Sequence, residues 1–433
     1  MSTINFSYDP EWRDTLSAPF MTNAFIAGLC IALAAGVMGY FTIARRSTFA
    51  AHALAHIGLP GATGAVLLGL PVSLGMGVFA LGGALVIGAL GKRVSEREIA
   101  TGTVLAFAEG RVDGSADDGN IDLLVKRSED NGNTWSTPIK VYDDGENRCQ
   151  NPAPVVLDNG RILLLFCWNE RTPGSANGSG SSGHPRRVMK TYSDDDGKTW
   201  STPEDIHDQV AIAGYTWYAT GPCHAIVKTL APNKGRIVVP CNHNKPGTNP
   251  KSERHAHLIY SDDQGATWHL GAVTDHPYGN ESTVVELGDG SLMTNMRNYE
   301  PNSLGYRWQA VSRDGGLTYE PAQVTTLIEP NNNGCQGSIL RYSINSAGKA
   351  NLLFSNPDHG SSRRYGSIKL SSNDGRSWSR TFKYVPDNDF YSAYSDLAVL
   401  ANKKVGVLFE HGHNNGKGIY FRSFEFAEIA AAL

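Results

Sequence analysis

Glu281 and Arg297 sit sixteen positions apart in the stretch NESTVVELGDGSLMTNMRN, Asn280 to Asn298. The Gly288-Asp289-Gly290 turn lies midway between them, so a hairpin brings the carboxylate and the guanidinium face to face at its open end. The residues alone allow two readings: a plain cross-strand ion pair, or the polar centre of a functional site. Two more cations, Arg363 and Arg364, open RRYGSIKLSS. Strand neighbours point to opposite faces, so only one of them can join such a centre. His52 and His56 have the i, i+4 spacing of two metal ligands on one helix face, but with no third ligand they read better as loop or interfacial residues. His224, His243, His255, His257, His411 and His413 show no HExxH or paired-cysteine spacing, so no metal and no organic cofactor is implied. Cys223 and Cys241 can pair only if this part of the chain lies in an oxidising compartment.

The elements that must position these groups are legible as a repeat. An octapeptide recurs as SEDNGNTW from Ser128, SDDDGKTW from Ser193, SDDQGATW from Ser261, SRDGGLTY from Ser312 and SSNDGRSW from Ser371. Ser, Asp and Gly at alternating positions make a tight turn in which the carboxylate accepts backbone N–H groups, and the closing aromatic packs between neighbouring sheets. Asp130, Asp195, Asp263 and Asp314 are therefore folding devices. Short alternating runs between the boxes predict an all-β chain of stacked or radially arranged units after Gly102.

The first hundred residues belong to another solvent. The chain of 433 residues carries 38 basic and 42 acidic residues, a formal charge of −4, which gives no reason to expect a nucleic-acid partner. From Thr15 to Ser95 there is no Asp or Glu, and between Arg46 and Lys92 no Lys or Arg. The uncharged runs at 20–44 and 61–91 are long enough to cross a bilayer and rich in the Gly and Ala of lipid-embedded helix contacts, so they predict two transmembrane helices. Arg45 and Arg46 put the loop between them in the cytoplasm and the remainder of the chain on the extracytoplasmic side.

Both parts resemble known families. The run GYFTIARRSTFAAHALAHIGLPGATGAVLLGLP, Gly39 to Pro71, is similar to the membrane permease of ABC-type zinc and manganese importers, with the resemblance reaching about Ala108. The five octapeptides are similar to the Asp-box repeat of sialidases (neuraminidases). That resemblance implies a six-bladed β-propeller over 102–433, preceded by a membrane segment over 1–101. In sialidases the N-E-x-x-V-V-E-L stretch supplies the Glu that polarises the nucleophile and an Arg that holds the sugar carboxylate, here Glu281 and Arg297. The family's spacing favours Arg363 over Arg364 as a second such arginine. FYSAYSDLAVL, from Phe390, matches S-A-Y-S-D-L, which makes Tyr394 the nucleophile and Tyr391 a neighbour. LAFAEGRVDGSADDGN, from Leu105, matches the stretch before the acid/base Asp, here Asp117 with Asp118 as competitor. YTWYATGPCHAI resembles a pocket-lining segment, in which Trp217 and Tyr218 either surround the sugar or pack the blade.

The resemblance implies an exo-α-sialidase that releases terminal sialic acid from glycoconjugates with retention. The substrate carries a carboxylate at its anomeric carbon, which repels an anionic nucleophile and suits a neutral Tyr hydroxyl. One part of the pattern is missing. Sialidases begin their first blade with an F-R-I-P strand bearing a third arginine, whereas Lys92 and Arg93 stand in its place within GKRVSEREIATGT. The loss of one charge-assisted grip predicts binding weaker by roughly 1.5–3 kcal/mol. The string ATGTVLAFA, Ala100 to Ala108, suits both families, and we read it as the junction of two unrelated coding sequences. A membrane-tethered sialoside-binding propeller and a metal-permease fragment are the alternative functions.

Overall fold

A computed structural model describes residues 102–433, apart from 115–116, 118, 172–185, 216, 247–251, 302, 332, 380, 386–390, 413–417 and 433, together with single positions 19, 21, 63, 67, 69 and 71. Contacts divide the chain into two compact units, residues 1–93 and 94–433. Apart from the single positions 21, 63, 67, 69 and 71, the two predicted spans at 20–44 and 61–91 lie outside the described residues, as do His52 and His56. Among the described residues no helix is long and apolar enough to cross a membrane.

The second unit is all-β, in a propeller-like arrangement of antiparallel sheets. Its first sheet holds β1 (Val104–Arg111), β2 (Ile121–Ser128), β3 (Ile139–Tyr142), β4 (Arg148–Val156), β5 (Ile162–Asn169), β6 (Arg187–Ser193) and β7 (Glu204–Asp205). A one-turn helix, α1 (His207–Val210), follows. The second sheet holds β8 (Trp217–Thr220), β9 (Ile226–Val227), β10 (Ile237–Pro246), β11 (Ser252–Ser261) and β12 (His269–Val273). The third runs β13 (Gly279–Glu286), β14 (Leu292–Asn298), β15 (Tyr306–Ser312), β16 (Gln323–Ile328), and the fourth β17 (Ser338–Ile344), β18 (Ala350–Pro357), β19 (Gly366–Ser371), β20 (Phe382–Lys383). The last has β21 (Tyr391–Val399), β22 (Val405–Gly412) and β23 (Gly418–Phe424), before α2 (Phe426–Ala431).

The described strands thus form five sheets where the sequence predicts six blades. The reason is local: β2 and β4 pair in parallel at one position, Ile121 with Arg148, which fuses two neighbouring units into one seven-stranded sheet.

The Asp boxes act as the sequence predicts. In the first, Ser128 Oγ donates to Asp130 Oδ1 (2.8 Å), and the same carboxylate accepts the Thr134 amide (2.8 Å) and hydroxyl (2.7 Å). The Thr134 backbone amide, aided by the hydroxyls, holds the Asp130 carboxyl down to about 2. In Asp195, Asp263 and Asp314 burial opposes the same set of donors, and the donors win, again giving about 2. Gly132 sits at φ +89°, and a Cβ there would run into the Phe421 ring. That ring also meets Trp135 edge-on at 5.3 Å, which joins the first sheet to the last by side chains. The apolar core lies between consecutive sheets, with Trp268 of the third box buried in its largest cluster.

Candidate active site

The β13–β14 hairpin delivers the predicted pair. Glu286 pairs with Leu292 and Ser282 with Met296, which centres the turn on Asp289, and the register breaks beside Glu281. Arg297 Nη1 donates to Glu281 Oε2 at 2.6 Å, with both residues buried. Tyr394, from β21, the first strand of the last sheet, donates its hydroxyl to the other oxygen, Glu281 Oε1. Arg297 Nη1 also reaches the Tyr394 oxygen at 3.2 Å. Burial first, and then the Glu281 carboxylate, push the Tyr394 phenol well above its usual value, with Arg297 opposing. The phenol is therefore neutral at rest, and its proton already lies on the line to Glu281.

Of the two neighbouring arginines, Arg363 is the one that comes in. Its guanidinium lies 5.5 Å from the Tyr394 ring centroid, while Arg364 is exposed and forms a backbone bridge to Tyr391. Tyr391 donates to Glu410 Oε2 at 3.3 Å. Burial raises the Glu410 carboxyl, against the Tyr394 backbone amide and Arg363.

Asp117 occupies the loop after β1, exposed, with its Oδ1 2.7 Å from Arg111 Nη2. Arg111 holds Glu109 at the same time, at 2.9 Å. Asp118 lies outside the described residues. Trp217 is half-buried and carries the Arg186 guanidinium 3.8 Å above its ring. Tyr218 is a correction to the pocket reading: it is fully buried, with its hydroxyl between Val210 O (3.3 Å) and His257 Nε2 (2.8 Å). Strand alternation turns it into the core as Trp217 faces the other way. Cys223 and Cys241 form no disulfide; the five described cysteines are free and buried, and Cys223 Sγ points to Ser282 O. Among the described residues no cluster of three or more His, Cys, Asp or Glu could hold a metal ion.

Sequence reasoning gave no role to Glu109, Arg111, Arg186 or Glu410. Glu109 and Arg111 were within reach, because an i, i+2 charge pair on a strand shares one face. Arg186 carries no local signal, since its partners Asn151 and Gln150 lie 35 and 36 positions away, while Glu410 meets Tyr391 across the β21–β22 hairpin.

A model described as the BNR repeat-like domain matches residues 102–407. An exo-alpha-sialidase of Aspergillus fumigatus is 31% identical over 362 residues, which are 76% of this chain and 82% of that protein. The chain belongs to the sialidase family. A family member from Paraclostridium sordellii, named a sialidase, is 32% identical over 256 residues, covering 57% of this chain and 62% of that relative. Among solved structures, a Hadza microbial sialidase superposes with a TM-score of 0.63 at 27% identity, covering 76% of this chain and 64% of its own. The leech intramolecular trans-sialidase, at 18% identity and a TM-score of 0.64 over 78% of this chain and 68% of that one, shares the fold. The chain thus spans under two thirds of two of these relatives. A second model, of the ABC 3 transport family, matches residues 17–109 and overlaps the first at 102–109.

Proposed function

We propose that the chain is an exo-α-sialidase acting on the terminal sialic acid of glycoconjugates, with Tyr394 as nucleophile. The observation that carries this reading is the Tyr394–Glu281–Arg297 cluster, in which one buried hydroxyl, one carboxylate and one guanidinium are mutually bonded. The Tyr394 oxygen attacks the anomeric carbon as the bond to the leaving glycoside oxygen breaks. Glu281 takes the phenolic proton, and Asp117 gives a proton to the departing oxygen. Asp117 then deprotonates a water that attacks the same carbon and frees Tyr394, so two displacements give net retention. Arg297 and Arg363 grip the substrate carboxylate, and an anionic sugar explains why the nucleophile is a neutral phenol.

The strand order supports six blades. Division of the first sheet between β3 and β4 leaves units of three, four, five, four, four and three strands. The two short units are the first and the last, in keeping with the missing F-R-I-P strand. The transporter-like match at 17–109 supports 1–101 as a membrane-anchoring segment, and Arg45 and Arg46 favour the extracytoplasmic side for the propeller. A fluorogenic sialoside tests the activity. Tyr394→Phe is expected to lower turnover by roughly three orders of magnitude or more, and turnover left unchanged would overturn the site assignment.

A further inference from the structure

Arg297 is held from behind as well as from the site. Its Nε donates to Asn333 O at 2.6 Å, in the loop 329–337. The next residue on β14, Asn298, donates its amide to Glu329 Oε1 at 2.9 Å. Glu329 Oε2 accepts the Cys335 amide at 3.3 Å and Arg307 Nη1 at 2.8 Å. Arg307, also fully buried, ties in Asn295 Oδ1 and Cys335 O. One buried carboxylate therefore fixes both backbone segments that aim Arg297: the strand end that carries it and the loop that receives its Nε. Gly334 threads between the two side chains at φ +55°, where an added Cβ would stand 2.8 Å from Glu329 Oε2 and 2.9 Å from Arg297 Cγ.

We infer that Glu329, with Arg307, is a positioning residue that sets the aim of Arg297 toward a substrate carboxylate. Neither residue reaches the Tyr394 hydroxyl. They act through the backbone of Asn298, Asn333 and Cys335, and both Glu329 oxygens are hydrogen-bonded, as a carboxylate buried this deeply requires. The inference rests on the sialidase reading, because it needs an anionic substrate.

The test compares binding of sialic acid with that of its methyl ester by titration calorimetry, on the full chain. A merely structural role would weaken both ligands alike, whereas loss of aim weakens only the acid. For Glu329→Gln the acid-over-ester preference is expected to fall about tenfold, the loss of one charge-assisted bond. With the fluorogenic sialoside, KM is expected to rise more than kcat falls. Gly334→Ala, which pushes on the same two side chains, is expected to do likewise. Should Glu329→Gln fail to fold, the pair Glu329→Gln with Arg307→Met leaves no unpaired buried charge and reads the same ratio. A preference unchanged in these variants overturns the inference and leaves the sialidase reading standing. Equal binding of acid and ester by the unaltered chain overturns both.

Discussion

Acid is expected to unfold the propeller through a buried histidine pair on the second sheet. His243 Nδ1 lies 3.2 Å from His257 Nδ1, and His257 Nε2 is bound to the Tyr218 hydroxyl. His243 also stacks on His255, with Lys245 nearby and Glu253 bonded to His255. Burial first, and then the neighbouring His255 and Lys245, depress the His243 imidazole from 6.5 to about 3. The folded state thus keeps this ring neutral while the unfolded chain protonates it, so its contribution is complete above pH 6.5 and is lost as pH falls toward 3. Between pH 8 and pH 5 the loss is 1.36 kcal/mol per unit over the 1.5 units below 6.5, or about 2 kcal/mol from His243 alone. His257, depressed well below its usual value chiefly by burial, acts in the same direction. Urea unfolding at pH 8 and pH 5 measures the effect. His243→Gln cannot titrate, so its stability should fall with acid by about 2 kcal/mol less than that of the parent. Parallel pH slopes for parent and variant would falsify the reasoning.

His224 is expected to act oppositely. Although burial lowers its imidazole, Asp396 at 2.7 Å raises it further, so its contribution is present below pH 6.5 and is lost as pH rises through the raised value. His224→Gln should remove stability at pH 5 and change less at pH 9, as urea titration would show. Arg363→Met should raise KM for the fluorogenic sialoside by about tenfold or more, the value of one charge-assisted bond, whereas Arg364→Met should leave it unchanged; steady-state kinetics on both variants separates the two readings. Lys228→Met should cost about 1.5–3 kcal/mol in urea unfolding, because it removes one of the two cations on the buried Glu286 carboxylate, which Lys228 Nζ meets at 2.9 Å and Arg341 Nη1 at 3.0 Å.

Much of this molecule could be read before any coordinates. The Asp boxes were legible because their hydrogen bonds are local, Ser to Asp to Thr within six residues. The Glu281–Arg297 pair was legible because one turn fixes its register. Tyr394 came from resemblance alone, since it meets Glu281 from 113 positions away. Tyr218 was ambiguous because Trp217 and Tyr218 point to opposite faces, and only the register of β8 against β10 decides which is core. The fusion of the first two units was invisible, as a single backbone pairing at Ile121 leaves no mark in side-chain pattern.

The joint between the first and last sheets runs through the chemistry. Among the described residues no strand of one pairs with a strand of the other, and Trp135 against Phe421, with the Asn402 amide on Asn131 Oδ1, spans the joint. The proposed proton donor, Asp117, belongs to one side and the nucleophile, Tyr394, to the other. A slight parting there would divide the two halves of the reaction while every sheet stayed folded, so turnover would serve as a gauge of ring closure, fading in mild denaturant before any β-structure is lost.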